Sequence, residues 1–225
     1  MEEAKTSKRA YRSALRSEQA AATRSRLLVA AQEAFSSRGY PGATIEDIAA
    51  AAGVSVPAVY WTFGNKQKLL RAVLESVGAD VRLGPRIADI LAEHDPCRQL
   101  HLIAELASAL WQAGAALLRG VERARGTDPT FDAWFREIDE ERRRGQRPVV
   151  ERLARQGQLR SGTSIDEGTD LLFVLSGPSL YLQLVEDRGW AIAAYESWLT
   201  RLLCQTLLRP DLPCRRSKAT APLDT

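Results

Sequence analysis

Between Thr44 and Lys66 the chain reads TIEDIAAAAGVSVPAVYWTFGNK, an order of residues that fits two short helices joined by a tight turn and little else. Thr44 can cap the first helix, and Asp47 three positions on makes a near-match to a capping box. Ile45, Ile48 and Ala49 give that helix a single apolar face. Gly53 stands where the chain must turn sharply, a conformation glycine adopts without steric cost. Ser55 suits the cap of the second helix, and Pro57 in its first turn forfeits no intrahelical hydrogen bond. Val54, Val59 and Phe63 face back toward the first helix, which leaves Val56, Ala58, Tyr60, Trp61 and Thr62 around the remaining surface. Solubility alone explains such a Tyr- and Trp-bearing helix poorly. Presentation to a DNA groove explains it.

The same positions carry a resemblance. Leu27, Ala30, Ala31, Phe35, Gly39 and Tyr40, then Thr44, Ile48, Ala49, Ala52, Gly53, Val54, Ser55, Tyr60, Phe63, Lys66 and Leu69, resemble the DNA-binding domain of the tetracycline-repressor (TetR) family over residues 20–72, without gaps. Beyond residue 72 the chain resembles that family only in being all-helical and of suitable length. The resemblance implies an all-α chain, with an N-terminal three-helix helix-turn-helix domain and a C-terminal helical ligand-binding and dimerisation domain. It also implies that the helix starting at Lys66 joins the two domains and moves with the pocket.

Composition excludes several other classes. Apolar residues make up 45% and charged residues 26%, ordinary for a globular protein, and a net charge of +3 says little about nucleic acid. Cys97, Cys204 and Cys214 are scattered, and His94 and His101 are the only histidines, so neither a disulfide framework nor a zinc site follows. No metal and no cofactor are expected. No apolar run reaches the roughly 18 residues of a membrane span, and no signal-peptide core opens the chain, so the expected location is cytoplasmic with no membrane partner.

In chain order, residues 1–18 read as a basic flexible arm, with Lys5, Lys8, Arg9, Arg12 and Arg16 available to phosphates or a minor groove. Residues 19–82 form the DNA-binding domain, residues 83–208 the helical ligand-binding and dimerisation domain, and residues 209–225 a disordered tail. Gly84-Pro85 marks the break between domains. A long helix from Asp95-Pro96 to about Arg119 is apolar almost all round, placing it inside the second domain. His101, Glu105, Ser108 and Gln112 interrupt it as a single stripe. That stripe is either a solvent edge or a pocket wall with Trp111 beside it, where Glu105 and His101 would recognise a cationic or hydrogen-bonding ligand. Phe135, on the inward face of a helix over residues 128–156, joins the candidate pocket, and Gly145 and Pro148 suggest a break or kink in that helix. Ser164 with Glu167 opens another helix, kinked at Gly177-Pro178, and a last helix comes after Gly189. Leu171, Leu175, Trp198 and Leu202 leave more apolar surface than one chain covers, so they are the candidate dimer interface.

The function this supports is a DNA-binding transcriptional repressor, acting as a homodimer on a palindromic operator and released by a small-molecule inducer. An activator on the same plan is the alternative within the class, and a helical-bundle enzyme or carrier the alternative outside it. His101 with Glu105 one turn away is the nearest thing to an acid–base pair, and no nucleophile or oxyanion donor stands beside it, so no enzyme and no catalytic residue are expected. Thr44, Tyr60 and Lys66 are the candidate phosphate contacts. Ser55, Val56, Pro57, Ala58 and Trp61 stand nearest the bases. Polar or small flexible residues are commoner in the family where Val56-Pro57-Ala58 stand, so thymine methyls or DNA shape would have to supply specificity.

Overall fold

The computed structural model describes residues 2–126 and 129–212, with the side chains of residues 2–14 and Arg16 outside the description. Its helices are α1 (Glu2–Gly42), α2 (Ile45–Ala52), α3 (Val56–Phe63), α4 (Lys66–Asp80), α5 (Leu83–Ala92), α6 (Pro96–Glu122), α7 (Pro129–Arg155), α8 (Ile165–Leu175), α9 (Pro178–Tyr181) and α10 (Ile192–Leu207). A π-helical stretch, Leu182–Asp187, continues α9. The chain divides into two units. The first is Met1–Val77 with Ala116–Arg125, and the second is Gly78–Ala115 with Gly126–Thr225.

In the first unit, helix begins at Glu2 rather than near Gln19, so the backbone of the expected flexible arm is helical. The side chains of Lys5, Lys8, Arg9, Arg12 and Arg16 lie outside the described residues. Gly39, at φ 70° and ψ 171°, interrupts the helix. Leu27, Ala31 and Phe35 on α1 pack with Ile48, Val59, Phe63, Leu69 and Val73 into a core from which solvent is almost wholly excluded. Ala116–Arg125 of α6 completes this unit. A Cβ built on Gly120 would lie 2.3 Å from the Phe35 carbonyl oxygen, so two backbones meet here with no room for a side chain. The apolar pattern of α6 assigns the whole helix to the second domain; in the structure its C-terminal turns belong to the first.

The caps of the two short helices differ in strength. The Thr44 hydroxyl accepts the Asp47 N–H at 3.1 Å, as expected, whereas Ser55 occupies the cap position of α3 without a side-chain capping bond. Thr44→Ala is therefore expected to cost about 1 kcal/mol of stability and Ser55→Ala only a few tenths. Thermal unfolding of the two variants checks this; equal losses would refute it.

The second unit begins two residues before the end of α4. Arg82, at φ 56°, makes the turn into α5, and Gly84-Pro85 falls inside the first turn of that helix instead of marking the break. The buried Gln99 amide donates to the Ile90 carbonyl at 2.7 Å, tying α6 to α5. Cys97, at the start of α6, is disulfide-bonded, which the scattered cysteines did not announce. Cys204 on α10 is a free thiol whose pKa burial pushes up to about 11. Helix α6 also corrects the membrane reading. It is long and apolar enough by composition to cross a bilayer, yet half of its most apolar window is buried inside the protein.

Helix α7 continues through Gly145 and Pro148, so no break falls there. It packs closely on α8, where a Cβ on Gly168 would lie 2.8 Å from Val150. Arg143–Asp170 and Arg147–Asp166 ion pairs flank that seam, and the Arg147 bond holds the Asp166 carboxyl below its ordinary pKa. The Ser164 hydroxyl caps α8 by accepting the Glu167 N–H at 3.1 Å, as predicted. Gly177 is extended and Pro178 opens a new helix, so α8 ends there instead of kinking. Tyr195, Leu199, Leu203 and Leu207 of α10 are fully buried, Tyr195 edge-on to Tyr181 at 5.4 Å. Beyond α10 the chain stays tied down: Arg209 N–H donates to Gln158 O at 3.0 Å, and its guanidinium pairs with Asp211 at 2.7 Å. Residues 209–212 are thus ordered where a tail was expected, and residues 213–225 lie outside the described part.

Candidate nucleic-acid interface

The geometry of α2 and α3 comes from local chemistry. Gly53 is left-handed at φ 66° and ψ 41°; its N–H reaches Ala50 O at 3.1 Å and the next N–H reaches Ala49 O at 3.0 Å, closing α2 and turning the chain into α3. Val59 and Phe63 bury one side of α3 in the unit's core, and the Arg24 guanidinium lies 4.6 Å above the Phe63 ring. An Arg38–Asp47 ion pair ties the end of α1 to the first turn of α2. The two helices are therefore held from behind, and the remaining face of α3 is free to meet a partner. Trp61 on that face is 87% exposed and Tyr60 48% exposed.

The other candidate contacts lie around this face. Thr44, Ser55 and Pro57 are exposed, while Val56 and Ala58 are partly covered. Thr44 Oγ1 is already an acceptor for Asp47, so its hydroxyl proton is what it can offer a phosphate. Gly64 and Asn65 set the start of α4, with Asn65 Oδ1 accepting the Lys68 N–H at 2.8 Å. Lys66 is less open than the sequence reading implies. Its ammonium lies 4.5 Å from the Tyr40 ring centroid and 3.5 Å from the Pro41 carbonyl, and burial holds its pKa below lysine's ordinary value. Tyr40 in turn stacks on Phe35 at 5.8 Å. Lys66 thus anchors the α1–α2 link as well as standing at a helix N-terminus, where an anion is favoured. Lys68, one position past Gln67, is exposed.

A family model described as "Bacterial regulatory proteins, tetR family" matches residues 27–73, which hold the core of α1, all of α2 and α3, and the first half of α4. This segment is thus similar to the DNA-binding domain of the tetR family of bacterial regulatory proteins. It is 45% identical over 60 residues to the HTH-type transcriptional regulator TtgR of Pseudomonas putida, covering 27% of this chain and 29% of TtgR. It is 48% identical over 52 residues to the transcriptional activator FasR of Mycolicibacterium smegmatis, covering 23% of this chain and 24% of FasR. These tetR-type relatives are thus matched over less than a third of their own length. The fold as a whole is similar to that of NalD, named as the secondary repressor of the MexAB-OprM multidrug efflux pump in Pseudomonas aeruginosa. That match has a TM-score of 0.70 at 24% identity and covers 87% of this chain and all of NalD.

The second unit brings only some of the expected pocket residues together. His101 lies between two partners, Glu105 at 3.2 Å and Thr200 Oγ1 at 3.2 Å, and all three are partly exposed. Ser108 is fully buried, and its hydroxyl has no hydrogen-bond partner among the described residues. Gln112 is exposed, so the stripe runs from buried to wet and is not one uniform wall. Trp111 is buried and its indole N–H donates to Ser176 O at 2.9 Å. The Arg142 guanidinium lies 5.8 Å from its ring centroid. Phe135 packs in an aromatic group with Phe131 and Trp134.

Three residues around Trp111, namely Arg142, Gln146 and Ser176, escape a reading of the sequence. Arg142 lies 3.7 Å over the Phe173 ring and donates to Phe173 O at 3.0 Å. Gln146 donates to Ser176 Oγ at 2.9 Å, and its own buried Oε1 is unpartnered among the described residues. By sequence Arg142 belongs to a solvated charge run, and nothing local distinguishes it from Arg143 and Arg144. On α8, Val174 is 60% exposed beside the half-exposed Leu171 and Leu175. Its spacing of three from Leu171 would have added it to the interface set.

Proposed function

We propose that the chain is a homodimeric transcriptional repressor that grips a palindromic operator with α2 and α3 and lets go when a small molecule occupies its second unit. The observation that carries the reading is the exposed Trp61–Tyr60 face on a helix held rigidly from behind, in a domain that belongs to a DNA-binding family. Thr44, Tyr60 and Lys66 serve as phosphate contacts, while Ser55, Val56, Pro57, Ala58 and Trp61 lie nearest the bases. Two copies related by a two-fold axis place their α3 helices on half-sites about one DNA turn apart. In the second unit, the buried unpartnered Ser108 hydroxyl and the His101–Glu105 pair favour an effector that hydrogen-bonds. The effector needs only to bind better to the conformer that misfits DNA.

A mobility shift on the DNA upstream of the chain's own gene tests this. Log affinity should fall linearly with log salt at about −0.9 per phosphate neutralised, and Lys66→Ala should reduce the slope by about one and weaken every duplex by a similar factor. Loss confined to one operator variant would show Lys66 reading bases, and no shift on any duplex would remove the proposal. Activation is the second reading, favoured by one observation: FasR, matched over 52 residues, is named as an activator. A reporter assay that shows rising transcription with added protein would select it.

A further inference from the structure

The outward face of α3 has almost nothing with which to hydrogen-bond a base. At about 100° of helix rotation per residue, Trp61 points about 180° away from the midpoint of the buried Val59 and Phe63, with Pro57 about 40° to one side and Ala58 about 60° to the other. Proline has no N–H to offer. The Ala58 N–H is donated to Ser55 O at 2.9 Å, and the Thr62 hydroxyl donates to Ala58 O at 2.7 Å. Tyr60 lies about 100° round from Trp61, on the flank. At the centre stands an indole that is 87% exposed, set between a pyrrolidine ring and a methyl group.

The major groove codes sequence with donors, acceptors and one apolar group, the thymine 5-methyl. A surface without bidentate donors or acceptors can match only the last of these directly. Resting on the DNA-binding reading above, we infer that α3 selects its operator by thymine methyl groups held against Trp61, with Pro57 and Ala58 completing the apolar surface. Trp61 is then the specificity-determining residue, and the operator carries thymine at a fixed place in each half-site.

The test uses the full chain and duplexes selected by it from a random pool. The enriched duplex is resynthesised with deoxyuridine in place of each thymine in turn, which removes one methyl and leaves every base-pair hydrogen bond intact. One thymine per half-site should lose roughly fourfold in affinity on this change, and roughly sixteenfold when both half-sites carry it. Trp61→Ala should bind the thymine and deoxyuridine duplexes equally, because the side chain that meets the methyl group is gone. The variant's unchanged circular dichroism would confirm that an exposed side chain was removed without disturbing the fold. Full tolerance of deoxyuridine by a chain that still selects a sequence would overturn the inference in favour of DNA shape. A loss caused instead by 7-deazaguanine would overturn it in favour of hydrogen-bond readout. Failure to bind any duplex would sink the DNA-binding reading itself, an outcome distinct from both.

Discussion

Leu202→Glu is expected to leave a folded monomer and to weaken operator binding by about 10²–10⁴-fold. Helix α10 presents two apolar faces. Tyr195, Leu199, Leu203 and Leu207 are spent inside their own chain, whereas Trp198 and Leu202 remain partly exposed. On α8, Leu171 and Leu175 are likewise partly exposed and Val174 is 60% exposed. Covering such side chains with a second copy gains about 1.5–3 kcal/mol for each one fully buried. A two-fold interface presents the same patch twice, so a single carboxylate enters it twice, without a partner and against a large desolvation penalty. The monomer keeps its DNA-binding unit but loses the second half-site, and with it the millimolar effective concentration that linkage supplies. Sedimentation velocity and a mobility shift on one preparation read both effects. A wild-type chain that sediments as a monomer at micromolar concentration would refute the dimer, and a dimeric Leu202→Glu variant would place its interface elsewhere.

Gly120→Ala should destabilise the first unit by about 1–3 kcal/mol, as overpacking does elsewhere. The sign is the informative part. Alanine in place of glycine inside a helix ordinarily stabilises by about 1 kcal/mol. Here the added carbon would lie 2.3 Å from the Phe35 carbonyl oxygen and 3.3 Å from the Gly39 Cα, both of them backbone and unable to swing aside. Gly39 cannot retreat either, because its positive φ is already the break in α1. Gly145 on α7 is the control: no described atom lies within 4 Å of its Cβ position, so Gly145→Ala should show the ordinary gain. Thermal unfolding of the two variants should move in opposite directions. A stabilised Gly120→Ala protein would mean that α1 and α6 do not meet as described.

The helix-turn-helix was readable from sequence because its determinants are local. Thr44 with Asp47 acts across three residues and the turn at Gly53 across five, and each does what its side chain suggests. The same logic found Ser164 and Glu167. It failed at Arg82, where the turn falls on a residue with no preference for a positive φ while neighbouring Gly84-Pro85 sits comfortably in a first helical turn. Ser55 shows a further limit: the right residue at the right position, with its side chain not used as a cap. The candidate site was legible on α3, where burial of Val59 and Phe63 dictates what faces out. Around Trp111 it was not, since Arg142, Gln146 and Ser176 come from helices 31 to 65 residues away and no periodicity reports such a meeting.

Helix α6 has a practical consequence for anyone who wishes to re-address a chain of this kind. The DNA-binding unit is discontinuous in sequence: Ala116–Arg125 belongs to it although the chain between Gly78 and Ala115 does not. A fragment cut at Val77 would uncover the Phe35–Gly39 backbone and remove Leu117, Leu118 and Val121, three nearly buried side chains. Grafting this head onto another effector module therefore takes three splices rather than one, after Val77, Ala115 and Arg125, and the second falls within helix α6, where the replacement must keep the register that brings Gly120 over Phe35.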